Sequence, residues 1–481
     1  MIPVLLLFIP LVAGILGFFI KDQKAASNWA IVASVITLLT AVIGIYAMPA
    51  SMHQFEATWL PSIGASFSVA LDGMSKMLVL LTAISMPLIL IATRNNNYSN
   101  PGAFYALMSL AQVGLMGVFV SMDALLFYFF WELALIPVYF LSSIWGGEKR
   151  IAVTFKFFIY TFIGSLLMLV GILIVYLHTK DQSFAWSSFT NTDLTSGEET
   201  LPFFLFFIAF AIKMPIFPLH TWQPDAYEQA PTATTMVLSG VMVKMGLFAV
   251  IRWVLPLFPF AANQFEMPII ILSVVGMIYA SLIAMQQDDI KRLIAYSSIA
   301  HIGLMAAAIF AGGTLGLQGV QVQMFNHGIN VIGLWILANA IENTLGTRKL
   351  SELGGLATKA PTMAILFVVL AFANIALPLT NAFIGEFLLF NGLFQYNIWI
   401  AAAAGVSIIL GAVYTLQMVQ KVLFGEVSAV TANATEINAY SKWVLIVIVV
   451  AVIALGVYPQ PLIDLTKDSV NALLVIKCDD V

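Results

Sequence analysis

The sequence predicts an all-α polytopic membrane protein of about fourteen transmembrane helices, arranged as two inverted five-helix repeats. Three observations predict it. Of 481 residues, 61% are hydrophobic and only 9% are charged, far too apolar for a water-soluble domain of this length. Apolar runs long enough to cross a hydrocarbon core of about 30 Å recur along the whole chain. Two of these runs are longer than a bilayer needs and carry internal prolines, which remove a backbone donor and break a helix at mid-membrane.

The runs fall at 2–20, 28–48, 76–93, 103–121, 123–145, 152–178, 202–230, 233–257, 267–286, 291–312, 317–343, 361–395, 398–424 and 441–459. The first carries no charged leader and no small-residue cleavage pattern, so it reads as a helix and not as a cleaved signal. Residues 179–201 form the longest polar stretch and read as a loop too poor in apolar residues to fold alone. Run seven holds Pro215, Pro218 and Pro224, and run twelve holds Pro378. Broken helices in matching places of two halves point to an inverted-repeat transporter. Residues 1–102 then form three N-terminal helices, 103–257 the first repeat (helices four to eight), 267–424 the second (nine to thirteen), and 441–481 the last helix and a tail.

Basic residues test the count, because Lys and Arg concentrate on the cytoplasmic side. Thirteen of the twenty lie in or beside loops that follow odd-numbered runs, such as Lys21, Arg94, Lys149, Lys291 and Arg348, against five on the other side. With an even number of spans, both termini face away from the cytoplasm.

The single cysteine, Cys478, rules out an intrachain disulfide and a thiolate-held zinc or iron–sulfur cluster. Neither G-x-G-x-x-G nor G-x-x-x-x-G-K-[ST] occurs, so dinucleotide binding and ATP hydrolysis are not expected of this chain. Its energy source is then another subunit or an ion gradient.

Ionisable groups inside the membrane are expensive and mark ion or proton pathways by default. Lys213, beside Pro215 and Pro218, and Lys244 lie near the middle of runs seven and eight. Glu132 in run five, His301 and His327 in runs ten and eleven, and Glu386 in run twelve lie at similar depth, given a rise of about 1.5 Å per residue. A row at one depth suits lateral proton movement. Buried opposite charges can load or release a proton as their separation changes, and histidine relays through two nitrogens. The bland reading of Lys213 and Glu132 is a static ion pair that ties helices together; for the two histidines it is a hydrogen bond to a neighbouring helix. Asp72, Asp123, Asp225 and Glu228 stand at helix ends and read as caps or hydrated groups.

Several runs carry a family resemblance: Phe130-Trp131-Glu132-Leu133-Ala134-Leu135-Ile136-Pro137, Lys213-Met214-Pro215-Ile216-Phe217-Pro218-Leu219-His220-Thr221-Trp222-Gln223-Pro224-Asp225-Ala226, Lys291-Arg292-Leu293-Ile294-Ala295-Tyr296-Ser297-Ser298 and Asn326-His327-Gly328. They resemble the antiporter-like proton-pumping subunits of respiratory complex I, over nearly the whole chain. The resemblance implies fourteen helices with the seventh and twelfth broken. It implies that Glu132 and Lys213 answer to a neighbouring subunit, that Lys244 is the central relay, continued by His301 and His327, and that Glu386 is the exit. It further implies a cofactor-free chain, with NADH, FMN, iron–sulfur clusters and quinone bound by other subunits. Its partners would be the other membrane-arm subunits, among them the L-like and N-like antiporter subunits, together with lipid and protons. The location implied is a bacterial inner membrane with both termini periplasmic. Glu386 in Phe383-Ile384-Gly385-Glu386-Phe387 replaces the lysine usual in the largest and smallest members. One departure stands beside it: Leu377-Pro378-Leu379-Thr380 has leucine where the family usually has glycine, which puts the local geometry of the second break in question. The alternatives are a subunit of a multisubunit sodium/proton antiporter or membrane-bound hydrogenase, and a structural spacer whose buried charges only lock helices.

Overall fold

A computed structural model describes residues 1–479, with side chains to residue 473; the side chains of Lys477 and Cys478 lie outside the described residues. Helices α1 (Ile2–Gly17), α2 (Gln23–Tyr46), α3 (Gly73–Ala92), α4 (Pro101–Val120), α5 (Ala124–Trp145) and α6 (Arg150–His178) occupy the first six apolar runs. Run seven is split into α7 (Ser196–Lys213) and α8 (Gln223–Gln229), and run eight is α9 (Thr232–Leu257). Then follow α10 (Pro259–Met285), α11 (Ile290–Ala311) and α12 (Thr314–Leu345). Run twelve is split into α13 (Pro361–Asn374) and α14 (Asn381–Tyr396), before α15 (Ile398–Leu423), α16 (Ala439–Val457) and α17 (Gln460–Asp479). Among the described residues, eleven helices are long and apolar enough to cross a membrane unaided. The chain is a multi-pass membrane protein.

Three features depart from the sequence reading. An antiparallel hairpin, β1 (Gln54–Leu60) with β2 (Ala65–Ala70), adds strand to an otherwise helical chain. The expected tail after residue 459 contains α17, whose Leu462, Thr466 and Val470 are buried at a spacing of one helical turn. The polar loop is partly helical: α7 starts at Ser196, fixed by a capping box between Thr195 and Glu198. Lys213 is the last residue of α7, directly before the break at Pro215.

Each break has a local cause. At Pro215 the ladder of α7 loses its donor, and the freed carbonyl of Ile212 accepts the indole N–H of Trp222 at 3.0 Å. At Pro378 the chain turns through Ala376 and Leu379, with φ of 53° and 75°. Left-handed backbone is unfavourable for leucine, which answers the departure noted in the sequence. Gly456 of α16 admits this turn closely, since a Cβ there would stand 2.3 Å from the Leu379 carbonyl oxygen. Asn326 of α12 donates to the Asn381 carbonyl at 2.7 Å and ties the restart of the helix to the centre.

The windows that define α9 and α12 as spans are wholly buried, while α2, α15 and α16 present much of their surface outward. α12 packs on α3, α11, α13, α14, α16 and α17, so it is the axle of the bundle. The two ends of the molecule differ. The N-terminal ammonium donates to the carbonyls of Met52 and Gln54, beside the hairpin, and the middle of α17 covers the start of α3 at Gly73, so the N-terminus and this part of α17 lie at one end. The opposite end carries an ionic network: Lys156 and Arg292 on Asp225, Arg292 and Arg348 on Glu228, Arg348 on Asp289, and Lys291 on Glu342.

Candidate functional site

The ionisable residues singled out in the sequence divide into two groups. In the first, Lys213 is 1% exposed and its ammonium makes no hydrogen bond to protein. It lies 5.7 Å and 5.9 Å from the ring centroids of Trp131 and Phe157, within cation–π range. Glu132, the residue after Trp131 on α5, is half-buried; it feels the charge of Lys213 and the hydroxyl of Ser165, yet one carboxylate oxygen has no partner. The expected Glu132–Lys213 pair is thus an electrostatic neighbourhood without a direct salt bridge.

The second group is a chain of contacts. Lys244, fully buried, donates to the carbonyl oxygen of Ser239 at 2.5 Å and lies 2.9 Å from His327 Nδ1. The rings of His327 and His301 stand 5.5 Å apart between centroids. His301 Nδ1 is 3.0 Å from Glu386 Oε1, and Gln323 donates to the same oxygen at 3.4 Å. In space the order is Lys244, His327, His301, Glu386, with the two histidines exchanged relative to the sequence. Gly246 of α9, two residues beyond Lys244, lets the end of α7 beside Lys213 come close: a Cβ there would stand 2.7 Å from the Met214 nitrogen.

Helix α9 carries two π-helical turns, Leu238–Met242 and Val250–Val254, on either side of Lys244. Their extra residue rotates the helix locally, and hydropathy carries no trace of it. Neutral polar residues were also missed. Asn374, the last residue of α13, donates to Ser297 Oγ at 3.1 Å and Thr415 Oγ1 at 3.2 Å, and Tyr414 donates to Ser297 at 2.9 Å. A cavity of about 20 Å³, room for a water, touches His301, Asn374, Glu386 and Tyr414. The available signal was α12 itself, where Gln318, Gln321, Gln323, Asn326, Asn330 and Asn339 interrupt an apolar span. Amides at that density need partners inside a bundle.

Of the helix-end acids, Asp123 accepts from the backbone N–H groups of Leu125 and Leu126, and Asp72 from that of Ser75, as caps do. Asp72 additionally pairs with the buried Arg252 of α9. Asp225 and Glu228 belong to the ionic network rather than to open water.

A bundle with two interrupted helices and a buried row of lysine, histidine and carboxylate defines an antiporter-like membrane subunit. The family described as NADH:quinone oxidoreductase/Mrp antiporter matches residues 121–411. The chain is 37% identical to NADH-quinone oxidoreductase subunit M of Rhodobacter capsulatus, over 97% of this chain and 95% of that one. A chain of respiratory complex I from Thermus thermophilus with bound NADH superposes with a TM-score of 0.90 at 29% identity, covering 98% of this chain and all of that one. A chain of the Mrp complex from Dietzia sp. shares the fold, with a TM-score of 0.87 at 20% identity and coverage of 98% and 97%. The chain belongs to the NADH-quinone oxidoreductase subunit M family.

Proposed function

We propose that this chain translocates protons within the membrane arm of an NADH-quinone oxidoreductase, along Glu132, Lys213, Lys244, His327, His301 and Glu386. The observation that carries the reading is the series from Lys244 Nζ to His327 Nδ1 at 2.9 Å, on to the neighbouring His301 ring at 5.5 Å between centroids, and from His301 Nδ1 to Glu386 Oε1 at 3.0 Å. Each step breaks the bond holding the proton on one group and forms one on the next: N–H to N–H from Lys244 to His327, through the O–H of a water to His301, and N–H to O–H at Glu386. The Lys244 ammonium gives a proton to neutral His327; the proton crosses to His301, through a water where the rings do not touch, and Glu386 receives it. Lys213 and Glu132, at the end of α7 and on α5, supply the input to this series.

On this reading the redox reaction, NADH oxidation by quinone, lies on other subunits with their FMN, iron–sulfur clusters and quinone. Neighbouring L-like and N-like antiporter subunits contact the lateral faces. The halves 103–257 and 267–424 act as inverted repeats. The ionic end faces the bacterial cytoplasm, which places both termini in the periplasm, as the distribution of basic residues supports.

The test is NADH-driven proton uptake by inverted membrane vesicles carrying Lys213→Ala, with assembly of the complex checked on the same sample. The expected result is an assembled complex with most uptake lost. Normal uptake per assembled complex overturns the reading, and loss of assembly alone favours a structural role. Sodium-dependent exchange without NADH would favour the antiporter alternative.

A further inference from the structure

We propose that Gly240 of α9 and Gly328 of α12 are positioning residues that set the separation of Lys244 from His327. The inference rests on the proton route above. Gly240 follows Ser239, whose carbonyl holds the Lys244 ammonium, and Gly328 follows His327 directly. The two glycines face one another where the helices cross. A Cβ on Gly328 would stand 2.7 Å from the Gly240 carbonyl oxygen, and a Cβ on Gly240 would stand 2.8 Å from Cδ1 and Cγ1 of Ile332. Real Cβ atoms do not approach so closely, so a side chain at Gly328 pushes the backbones apart, and one at Gly240 must displace the Ile332 side chain packed at the same crossing.

The crossing acts together with the first π turn. Val243 N donates to the Leu238 carbonyl, five residues back, and the Lys244 ammonium likewise reaches five residues back to Ser239. In an α-helix, residues five apart diverge by about 140° around the axis; the wider π turn brings them into line. Lys244 is thereby held at one point of α9 with two acceptors within reach, one on its own helix and one on α12. Only the second acceptor moves when the crossing opens, so the crossing governs whether the ammonium can hand its proton on.

The experiment measures proton uptake per NADH oxidised, per assembled complex, in inverted vesicles. Gly240→Ala is expected to lower this ratio by roughly ten-fold or more, since displacement of a transferring group by about 1 Å can cost about a hundred-fold. The atoms that meet the new methyl belong to a side chain, so adding Ile332→Ala is expected to restore the ratio. Gly328→Ala meets backbone as well as Leu81, so adding Leu81→Ala is expected not to restore it. Gly405→Ala of α15, where nothing lies within 4 Å, is expected to match wild type. A normal ratio in Gly240→Ala overturns the proposal, as does equal rescue of both glycine variants. If Gly240→Ala does not assemble, Gly328→Ala with Leu81→Ala decides: a low ratio supports the proposal and a normal one overturns it. Lys244→Ala in parallel separates the two levels. If it pumps normally the proton route itself is wrong; if it loses pumping while the glycine variants keep it, only the positioning role fails.

Discussion

The two helix breaks hold their charges in opposite ways. At the first, Lys213 ends α7 among aromatic rings, without a hydrogen bond, and Glu132 is near it but not joined to it. At the second, Glu386 is held by His301 and Gln323, while Asn374 ties the end of α13 to α11 and α15. One site is loose and the other latched. A loose charge responds to small changes in field from a neighbour, whereas a latched one responds when a specific bond is made or broken. The molecule thus has an end suited to receiving a signal and an end suited to releasing a proton at a defined step.

The largest effect should come from shortening the two carboxylates by one methylene. Glu386→Asp withdraws the oxygen from both its partners and is expected to lower NADH-driven proton uptake by about ten-fold or more, whereas Glu132→Asp has no salt bridge to lose, only the Ser165 hydroxyl, and should lose far less. Equal losses in the two variants would abolish the distinction between loose and latched.

Asn374→Ala removes a donor shared by Ser297 and Thr415 and is expected to destabilise the assembled complex by about 1–2 kcal/mol, read as a lower midpoint of thermal inactivation. An unchanged midpoint would mean that the second break is held elsewhere.

Asp72 tests whether the looseness of the first half is confined to its break. Burial alone would raise this carboxyl, but the Arg252 charge and the hydrogen bonds from Ser75 and Arg252 outweigh burial and hold it below its ordinary value. A lowered carboxylate contributes stability that is present above its unfolded value, near pH 4, and is lost as the pH falls through the lowered one. The thermal midpoint of wild type should therefore drop on acidification through this range more than that of Asp72→Asn. Parallel curves would remove the ion pair as an anchor of α9.

The smallest effect concerns Leu379, held at a φ of 75°. Leu379→Gly relieves left-handed strain of about 1 kcal/mol and should raise the thermal midpoint slightly. A lower midpoint would show that the exposed leucine side chain contributes more through contacts than it costs in backbone strain.

Much of this was legible in the chain. Prolines 215, 218 and 378 mark the breaks because a missing donor acts locally, and lysines and acids within apolar runs stand out because burial of charge is expensive. What could not be read is which groups touch. Helices α9 and α12 have no lipid face, so no periodicity says which way Lys244 or His327 points. The π turns change register without changing composition. Gln323 and Asn374 act through hydrogen bonds that exist only once distant helices meet. The hairpin and α17 lie outside the spanning apolar runs, where hydropathy no longer separates helix, strand and loop.

The burial of α9 also bears on how the protein is made. Lys244 leaves the ribosome 83 residues ahead of His327, a delay of about 4–17 s at roughly 5–20 residues per second. During that interval a cation on a membrane helix lacks its partner on a later one, a penalty of a few kcal/mol. The carbonyl of Ser239, on the same helix, is an acceptor that exists from the moment α9 forms. The bond that holds the ammonium in the finished bundle can therefore also shelter it while the second half of the chain is still being synthesised.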